Sequence, residues 1–218
     1  MKIFINIDGV LRDTISKFDY HYKSYYLDSE PEEKTEEENN FKYEVTEPVK
    51  NNFLMDSYRF QSKEEFENFL FIDYAVEIFG HSNQSYSKAF FDLNNLIYEN
   101  KDHQFTLVGL DELGKSKPSS LFFLSKNGFM GNNIRFTMSS EIDKLWEECD
   151  LWITDNKSVI DSCPKGKKVI KFNTEYNQYF TNPLEISNLK EIDKSWLKYS
   201  ENIITSTLKR LIQSVKSR

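Results

Sequence analysis

The sequence predicts an α/β protein with a doubly wound parallel sheet, and three observations lead to this fold class. Residues 2–7 form a short β-branched and aromatic run that breaks at Asp8-Gly9, as expected for a buried strand followed by a turn. From residue 104 onward, strand-like and helix-like segments alternate along the chain. With 218 residues, including 18 Phe, 12 Tyr and 3 Trp, the chain can bury one substantial core together with an insertion.

The second half of the chain supplies most of the predicted sheet. Strands are expected at residues 105–108, 133–137, 151–154 and 168–172, separated by helices at 118–126, 140–148 and 158–162. Pro118 in the first turn and Gly128 past the end delimit the first of these helices. Because strands that alternate with helices form parallel sheets covered on both faces, this half predicts a Rossmann-like core.

Residues 28–103 predict an acidic loop followed by a mostly helical insertion, after a first helix that runs from the Asp13 cap through Tyr26. A helix is expected to start at Ser62 and to run to Phe79, and a second helix covers residues 85–98. Seven acids fall within eleven residues, namely Asp28, Glu30, Glu32, Glu33, Glu36, Glu37 and Glu38. Such a run repels itself, which predicts a solvated flexible loop; the alternative is an acidic arm that docks on a basic partner.

The end of the chain predicts an amphipathic helix over residues 195–218. Its apolar stripe consists of Ile204, Leu208, Leu211, Ile212 and Val215. The stripe is expected to pack on its own domain, and docking to a partner is the alternative. The predicted organisation is therefore a core of residues 1–27 and 104–183, an insertion of residues 28–103, and a C-terminal helical segment of residues 184–218.

Composition restricts the partners and the compartment. The net charge is −7, but outside the acidic run 28 of the 35 acids and 27 of the 28 bases remain, so the body is nearly neutral. Without a basic face, direct nucleic-acid binding is not expected. No leader pattern or run of about 18 apolar residues is present, so we expect no membrane contact and a cytoplasmic site of synthesis. Cys149 and Cys163 are interpreted as ordinary thiols of a reducing compartment.

Polar residues follow three of the predicted strands. Ligands of a doubly wound sheet bind beyond the carboxyl ends of its strands. The first strand ends at Asn6-Ile7-Asp8, the second at Gly109, and the strand of residues 151–154 at Asp155. These residues are the candidate site.

The same residues carry a resemblance to the haloacid dehalogenase (HAD) superfamily. The segment Asn6-Ile-Asp8-Gly-Val-Leu11 resembles the first motif of that family, Asp-x-Asp-Gly. Gly109 stands where the second motif has Ser or Thr, Lys117 matches the lysine of the third motif, and Asp155 resembles the acid of the fourth. The resemblance covers residues 1–27 and 104–175, and it implies that the insertion occupies the place of a cap.

The resemblance implies a phosphate-transfer chemistry that this chain cannot fully supply. In the family, the first Asp attacks phosphorus, the second acts as acid and base, and the hydroxyl and the lysine hold the phosphoryl oxygens. The first Asp and the fourth-motif acid bind Mg²⁺. Here the nucleophile position is Asn6, whose amide is a very poor nucleophile, and Gly109 lacks the hydroxyl unless Thr106 or Ser116 replaces it.

Three explanations for Asn6 compete. Asn6 is an engineered replacement of Asp that stops the reaction, or it belongs to a divergent enzyme that uses another nucleophile, or it belongs to a protein that no longer catalyses the reaction. Two losses in one site, at positions 6 and 109, favour the third. On this interpretation Asn6, Asp8 and Lys117 are vestigial catalytic positions, and Gly109 and Lys117 vestigial phosphate-binding positions. Asp8 and Asp155 would be metal ligands only if Mg²⁺ binds, and an inactive protein is expected to need no cofactor.

A looser resemblance concerns small HAD-related proteins of tailed phages, including the crAss-like group. It is carried by the segments 52–56, 78–81 and 116–126. It implies a structural role in a virion, such as a neck or tail ring, with other protein subunits as partners in an oligomer. The alternative functions are a Mg²⁺-dependent phosphatase acting on a small phosphate ester or nucleotide, and a phosphate or nucleotide sensor without turnover.

Overall fold

A computed structural model describes residues 1–28, 35, 40–49, 54–192 and 196–197 of the chain. Its centre is a parallel sheet of six strands: β1 (Lys2–Asn6), β2 (Gln104–Leu110), β3 (Ile134–Thr137), β4 (Leu151–Thr154), β5 (Lys168–Phe172) and β6 (Glu185–Ile186). The strand order is β3-β2-β1-β4-β5-β6, and every pairing is parallel. The predicted α/β class with a Rossmann-like parallel sheet is confirmed.

In the described residues, seven α-helices surround or extend from this sheet: α1 (Thr14–Tyr22), α2 (Leu54–Ser57), α3 (Lys63–Asn68), α4 (Ala89–Glu99), α5 (Lys117–Lys126), α6 (Ile142–Glu148) and α7 (Lys157–Asp161). Wider π turns follow at Lys23–Leu27, Phe69–Asp73 and Val76–Gly80, and 3₁₀ turns form at Ser139–Glu141, Glu175–Asn177 and Leu189–Glu191. Within the described ranges, none of the helices combines the length and the apolar character that a membrane crossing requires.

The two faces of the sheet are covered by different helices. One face carries Ile5 and Leu107, which pack in a cluster with Leu93 of α4 and Phe123 of α5. On the other face, neighbouring residues of the same strands pack with α6 and α7; this cluster contains Phe4, Val108, Trp146, Trp152 and Val159. Because successive side chains of a strand point to opposite faces, β1 contributes to both clusters, and its near-continuous apolar sequence follows from this.

The insertion has an apolar core of its own that consists mainly of aromatic rings. Phe18 is fully buried, and its ring lies 4.8 Å from that of Tyr58 and 5.3 Å from that of Phe69, measured between centroids. Tyr26 stacks on Tyr43 at 4.1 Å. Phe18 and Tyr26 lie in the segment 1–27 that the sequence predicted as part of the sheet core. Their side chains pack in the insertion because helical periodicity reports an apolar face but not its partner.

Two predicted helices differ from those observed. Ser62 caps α3 as expected, its Oγ accepting the N–H of Glu65 at 3.1 Å. The helix does not continue to Phe79. The N–H of Tyr74 bonds the carbonyl of Phe69, five residues back, so a π turn follows the helix, and Val76–Gly80 forms a second π turn. The helix predicted from residue 85 begins at Ala89, and the N–H of Ser85 bonds the carbonyl of Leu11.

The sheet also extends past residue 183, where a C-terminal helical segment was expected to begin. Lys171 and Phe172 of β5 pair with Glu185 and Ile186, so β6 forms the edge of the sheet. A two-residue strand carries no periodicity that a sequence can reveal. The acidic run beyond Asp28, apart from Thr35, and the predicted C-terminal helix, apart from residues 196–197, lie outside the described residues.

A single buried arginine joins the insertion to the sheet core. The guanidinium of Arg12, 1% exposed, donates to Asp8 Oδ1 from Nε at 3.0 Å and from Nη2 at 2.7 Å. Its Nη1 donates to the carbonyl of Phe79 in the insertion at 2.6 Å and to Ser120 Oγ of α5 at 2.9 Å. The guanidinium carbon also lies 5.0 Å from the ring centroid of Phe79. Arg12 therefore fixes a strand loop, the insertion and a core helix relative to one another.

We expect Arg12→Met to lower the free energy of unfolding by about 3–5 kcal/mol, because it leaves the Asp8 carboxylate and the Phe79 carbonyl without their partner. The control is Arg135→Met, which breaks an exposed ion pair with Glu148 and should cost at most about 1 kcal/mol. Urea unfolding of both variants measures the difference. Adding Asp8→Asn to Arg12→Met should recover part of the lost free energy of unfolding. Equal losses of stability in Arg12→Met and Arg135→Met would contradict the assigned role of Arg12.

Candidate functional site

The candidate site lies at the point where the strand order reverses. The chain runs outward from β1 through β2 to β3 and then returns to place β4 on the other side of β1. In open α/β sheets, ligands bind outside the carboxyl ends of the strands at such a switch point. Asn6 and Asp8 follow the end of β1, and Asp155 follows the end of β4, so these three predicted site residues are brought together.

Asn6 is buried, 5% exposed, and its side chain is engaged by two neighbours. Its Oδ1 accepts a hydrogen bond from Trp152 Nε1 at 2.8 Å. The amide also hydrogen-bonds the Asp155 carboxyl and acts to lower its pKa. An amide held in this way has no charge, no proton to give up at neutral pH, and little access to solvent. Asn6 is a structural connector between β1 and β4.

Asp8 is held by the buried arginine described above. Its Oδ1 accepts hydrogen bonds from Nε and Nη2 of Arg12 and a third from the hydroxyl of Thr14. A general acid or base must reach the proton it transfers. Here the carboxylate is paired within its own loop, and its negative charge is balanced by Arg12.

Asp155 is the most perturbed carboxyl group of the site. It is 3% exposed, and burial raises the pKa of its carboxyl to about 7, with a smaller contribution from the charge of Asp8. Hydrogen bonds from Tyr176 and Asn6 act in the opposite direction. The carboxylate rests directly on Gly9, where an added Cβ would lie 2.0 Å from Oδ2 and where φ is 74°. Gly9 is therefore required both by its backbone conformation and by this contact.

Gly109 and Lys117 form a separate group around Phe136. A Cβ at Gly109 would lie 3.0 Å from the Phe136 ring and 3.3 Å from Ile7. Position 109 thus points to the face of the sheet that carries Ile7, whereas Asn6 points toward Trp152 on the opposite face. The ammonium of Lys117 lies 5.8 Å from the centroid of the Phe136 ring. A side chain at position 109 would therefore press on this ring, which would have to move by a few tenths of an ångström.

Sequence reasoning missed Asp111, which occupies the N-terminus of α5. Asp111 is 5% exposed, and its carboxylate accepts the backbone N–H groups of Lys115, Ser116 and Lys117 at 3.0–3.2 Å. Free N–H groups at a helix N-terminus form a natural anion site. Here an internal carboxylate takes them. The available signal was an acid directly after a strand and a few residues before a helix.

The two residues considered as substitutes for the missing hydroxyl are placed differently. Thr106 pairs with Phe4 in the middle of the sheet, away from the carboxyl ends of the strands. Ser116 precedes α5, and its Oγ is buried without a hydrogen-bond partner among the described residues. Neither hydroxyl joins the group around Gly9.

A cleft of about 640 Å³ opens beside the site, between the sheet edge and the insertion. Its lining includes Gly9 and Tyr176, and it carries four carboxylates and one ammonium group, those of Asp13, Asp19, Glu47, Glu175 and Lys23. Lys23 is itself paired with Asp19 and Glu47. A surface with this balance of charge repels phosphate esters.

The residues present do not fit a Mg²⁺ site. Mg²⁺ needs several oxygen ligands in near-octahedral geometry, usually one or two of them carboxylates. Asp8 is paired with Arg12, Asp155 is buried and hydrogen-bonded by Tyr176, and Asn6 carries no charge. Over the part of the chain that the structure describes, no group of three His, Cys, Asp or Glu side chains is arranged to hold a metal ion.

No family model matches the chain, and no curated protein matches it.

We expect Asp155 to make the protein more stable in mild acid. The folded state keeps the Asp155 proton up to about pH 7, whereas the unfolded chain loses it near the ordinary value of 3.8, so the contribution is lost as the pH rises through 7. Between pH 8 and pH 5, the free energy of unfolding should rise by about 2–3 kcal/mol relative to Asp155→Asn. Urea unfolding at pH 5, 6.5 and 8 measures this difference.

Asp161→Asn is the control for this experiment, because Asp161 is exposed and pairs only with Lys157 among the described residues. It should keep the pH dependence of the unchanged protein. Parallel pH profiles for the unchanged protein and Asp155→Asn would show that the buried carboxyl is not protonated in the native state.

Proposed function

We propose that this chain is a catalytically inactive HAD-like protein that serves as a structural subunit of an assembly. The observation that carries the proposal is the state of Asn6. The residue at the nucleophile position is an amide, is buried, and is engaged by Trp152 and Asp155. A nucleophile must be exposed to its substrate and activated by a neighbouring base or a lowered pKa. Asn6 meets neither requirement.

Three further features support a non-catalytic role. Three of the positions that would meet a phosphate or a metal are engaged internally: Asp8 has Arg12, the N-terminal amides of α5 have Asp111, and Phe136 lies against Gly109. Active sites for phosphoryl transfer present free donors to the oxygens on which charge develops. In this site the Asp8 carboxylate and the N-terminal amides of α5 are paired internally, which favours a stable fold over turnover.

The resemblance to HAD-related phage proteins indicates the kind of assembly to test, a neck or tail ring of a virion. In this proposal the partners are other protein subunits, and the insertion, the acidic run and the C-terminal segment supply the contact surfaces. Large aromatic and apolar side chains remain exposed on the described surface, among them Phe91 at 64%, Tyr98 at 70% and Met130 at 78%. Exposed aromatic residues are enriched in protein interfaces.

The alternative is a Mg²⁺-dependent HAD phosphatase acting on a small phosphate ester or nucleotide. The observation that favours it is the meeting of Asp8 and Asp155 at the switch point of the sheet, where such enzymes place their acids. The two functions are separated by a phosphatase assay with Mg²⁺ on a panel of phosphate esters that includes nucleotides. Turnover by the unchanged protein would overturn the structural proposal.

We expect Asn6→Asp to remain inactive and to be less stable by about 2–3 kcal/mol at pH 8. The new carboxylate would contact Asp155 without the hydrogen bond that the amide supplies, and like charges at this distance disfavour ionisation. The measurements are the phosphatase assay and urea unfolding. Asn173→Asp, the same chemical change in the lining of the neighbouring cleft, is the control and should cost little.

If Asn6→Asp turns over a phosphate ester, the site is intact apart from one atom, and the proposed loss of function is wrong. Gly109→Ser is not informative as a companion change, because the added side chain would meet Phe136 at 3.0 Å. Sedimentation velocity of the unchanged protein tests the assembly role directly: an oligomer is expected, and a monomer at all concentrations would argue against self-assembly.

A further inference from the structure

A surface formed by α1, α5 and the turn between them combines lysines with exposed aromatic rings. We call it the lysine–aromatic face and define it by Lys17, Tyr20, His81, Phe122 and Lys126. The ammonium of Lys17 lies 5.5 Å from the centroid of the Tyr20 ring, and that of Lys126 lies 5.7 Å from that of Phe122. The His81 ring lies 5.3 Å from the Phe122 ring.

These residues form one continuous surface. Both α1 and α5 pack against the turn Val76–Gly80, which holds them side by side. Lys17 and Lys126 are close enough that the charge of Lys17, after desolvation, contributes to lowering the pKa of Lys126. Tyr20 is 62% exposed and Phe122 is 48% exposed, so the rings are open to a partner.

The positive charge of this face is not balanced by the described part of the chain. Many lysines elsewhere pair with a carboxylate, as Lys63 does with Glu67 and Lys144 with Glu141. Neither Lys17 nor Lys126 forms an ion pair with a residue of the described ranges. The acid at its border is Glu77, whose charge acts on His21. The face therefore suits a partner that brings carboxylates.

The same chain contains such a partner. Residues 28–38 hold seven acids and one lysine, and this excess accounts for six of the seven net negative charges. Opposite charges that meet across an interface set its register and speed association. We propose that the acidic segment 28–38 of a second copy docks on the lysine–aromatic face. This inference rests on the proposed assembly role and names its first contact.

The position of the segment favours a second copy over the same chain. The segment lies between Tyr26 and Tyr43, which stack on each other inside the aromatic cluster of the insertion. Tyr20 lies two residues from both Phe18 and Tyr22 of that cluster, and therefore about 200° away around the helix. The described residues that flank the segment thus pack on the side of α1 opposite Tyr20, so a neighbouring copy presents the segment to this face more directly than the same chain does. Two copies related by a two-fold axis can make the contact twice.

The test is the double change Lys17→Glu, Lys126→Glu in the full chain, studied by sedimentation velocity at 50 and 500 mM NaCl. We expect the unchanged protein to self-associate, more weakly at high salt, and the double variant to associate at least tenfold more weakly. The control, Lys63→Glu with Lys144→Glu, makes the same change in net charge at lysines 77% and 73% exposed and should associate normally. Thermal melts check that each variant is folded.

A charge exchange makes the test specific. Changing Glu32, Glu33, Glu36 and Glu37 to Lys should abolish self-association, and mixing this variant with Lys17→Glu, Lys126→Glu should restore a heterodimer. A fluorescent peptide of residues 26–40 should bind the unchanged chain by anisotropy and should not bind the Lys17→Glu, Lys126→Glu variant.

The outcomes separate this inference from the proposed function. If the unchanged protein associates and the double variant associates equally well, the docking surface is wrong while the assembly role stands. If the unchanged protein is a monomer at every concentration, both self-assembly and this contact are overturned. If the mixed charge-exchanged variants do not associate, the pairing of this segment with this face is wrong.

Discussion

The fold depends on how the charge of Arg12 is accommodated away from water. A buried guanidinium destabilises a protein unless its donors find acceptors, and its planar fork sets the direction of each. Those acceptors come from the loop after β1, from the end of the insertion and from α5. One side chain thereby helps to hold the insertion against the sheet core. It also determines which way Asp8 faces, so the architecture and the state of the candidate site have a common origin.

The site combines the position of an active site with the bonding of a protein interior. Asn6, Asp8 and Asp155 stand where a doubly wound sheet binds ligands, yet each is hydrogen-bonded by a neighbouring side chain. Buried polar groups in a folded core are paired in this way, whereas a binding site keeps some of them for its ligand. The proposed structural role is based on this difference. The lysine–aromatic face, in contrast, exposes its side chains to solvent, where a partner can reach them.

The sequence predicted the positions of β1 to β5 along the chain, the parallel sheet and the meeting of Asp8 with Asp155, because period and strand ends are local signals. It did not predict Arg12, whose partners lie up to 108 residues away, or Tyr176, which bonds Asp155 from beyond β5. It also did not predict Asp111 as the acceptor for α5. The aromatic core of the insertion was missed because periodicity reports that a face is buried without saying what covers it.

The ring of Phe136 has a consequence for the order in which this chain can change over generations. A Cβ at position 109 would lie 3.0 Å from the ring, so any larger side chain requires the ring to move by a few tenths of an ångström. A smaller residue at position 136 would remove this contact, but until position 109 also changed it would leave a void in the sheet. Changes at the two positions are therefore coupled in the descendants of this sequence, whether or not either residue contributes to any activity.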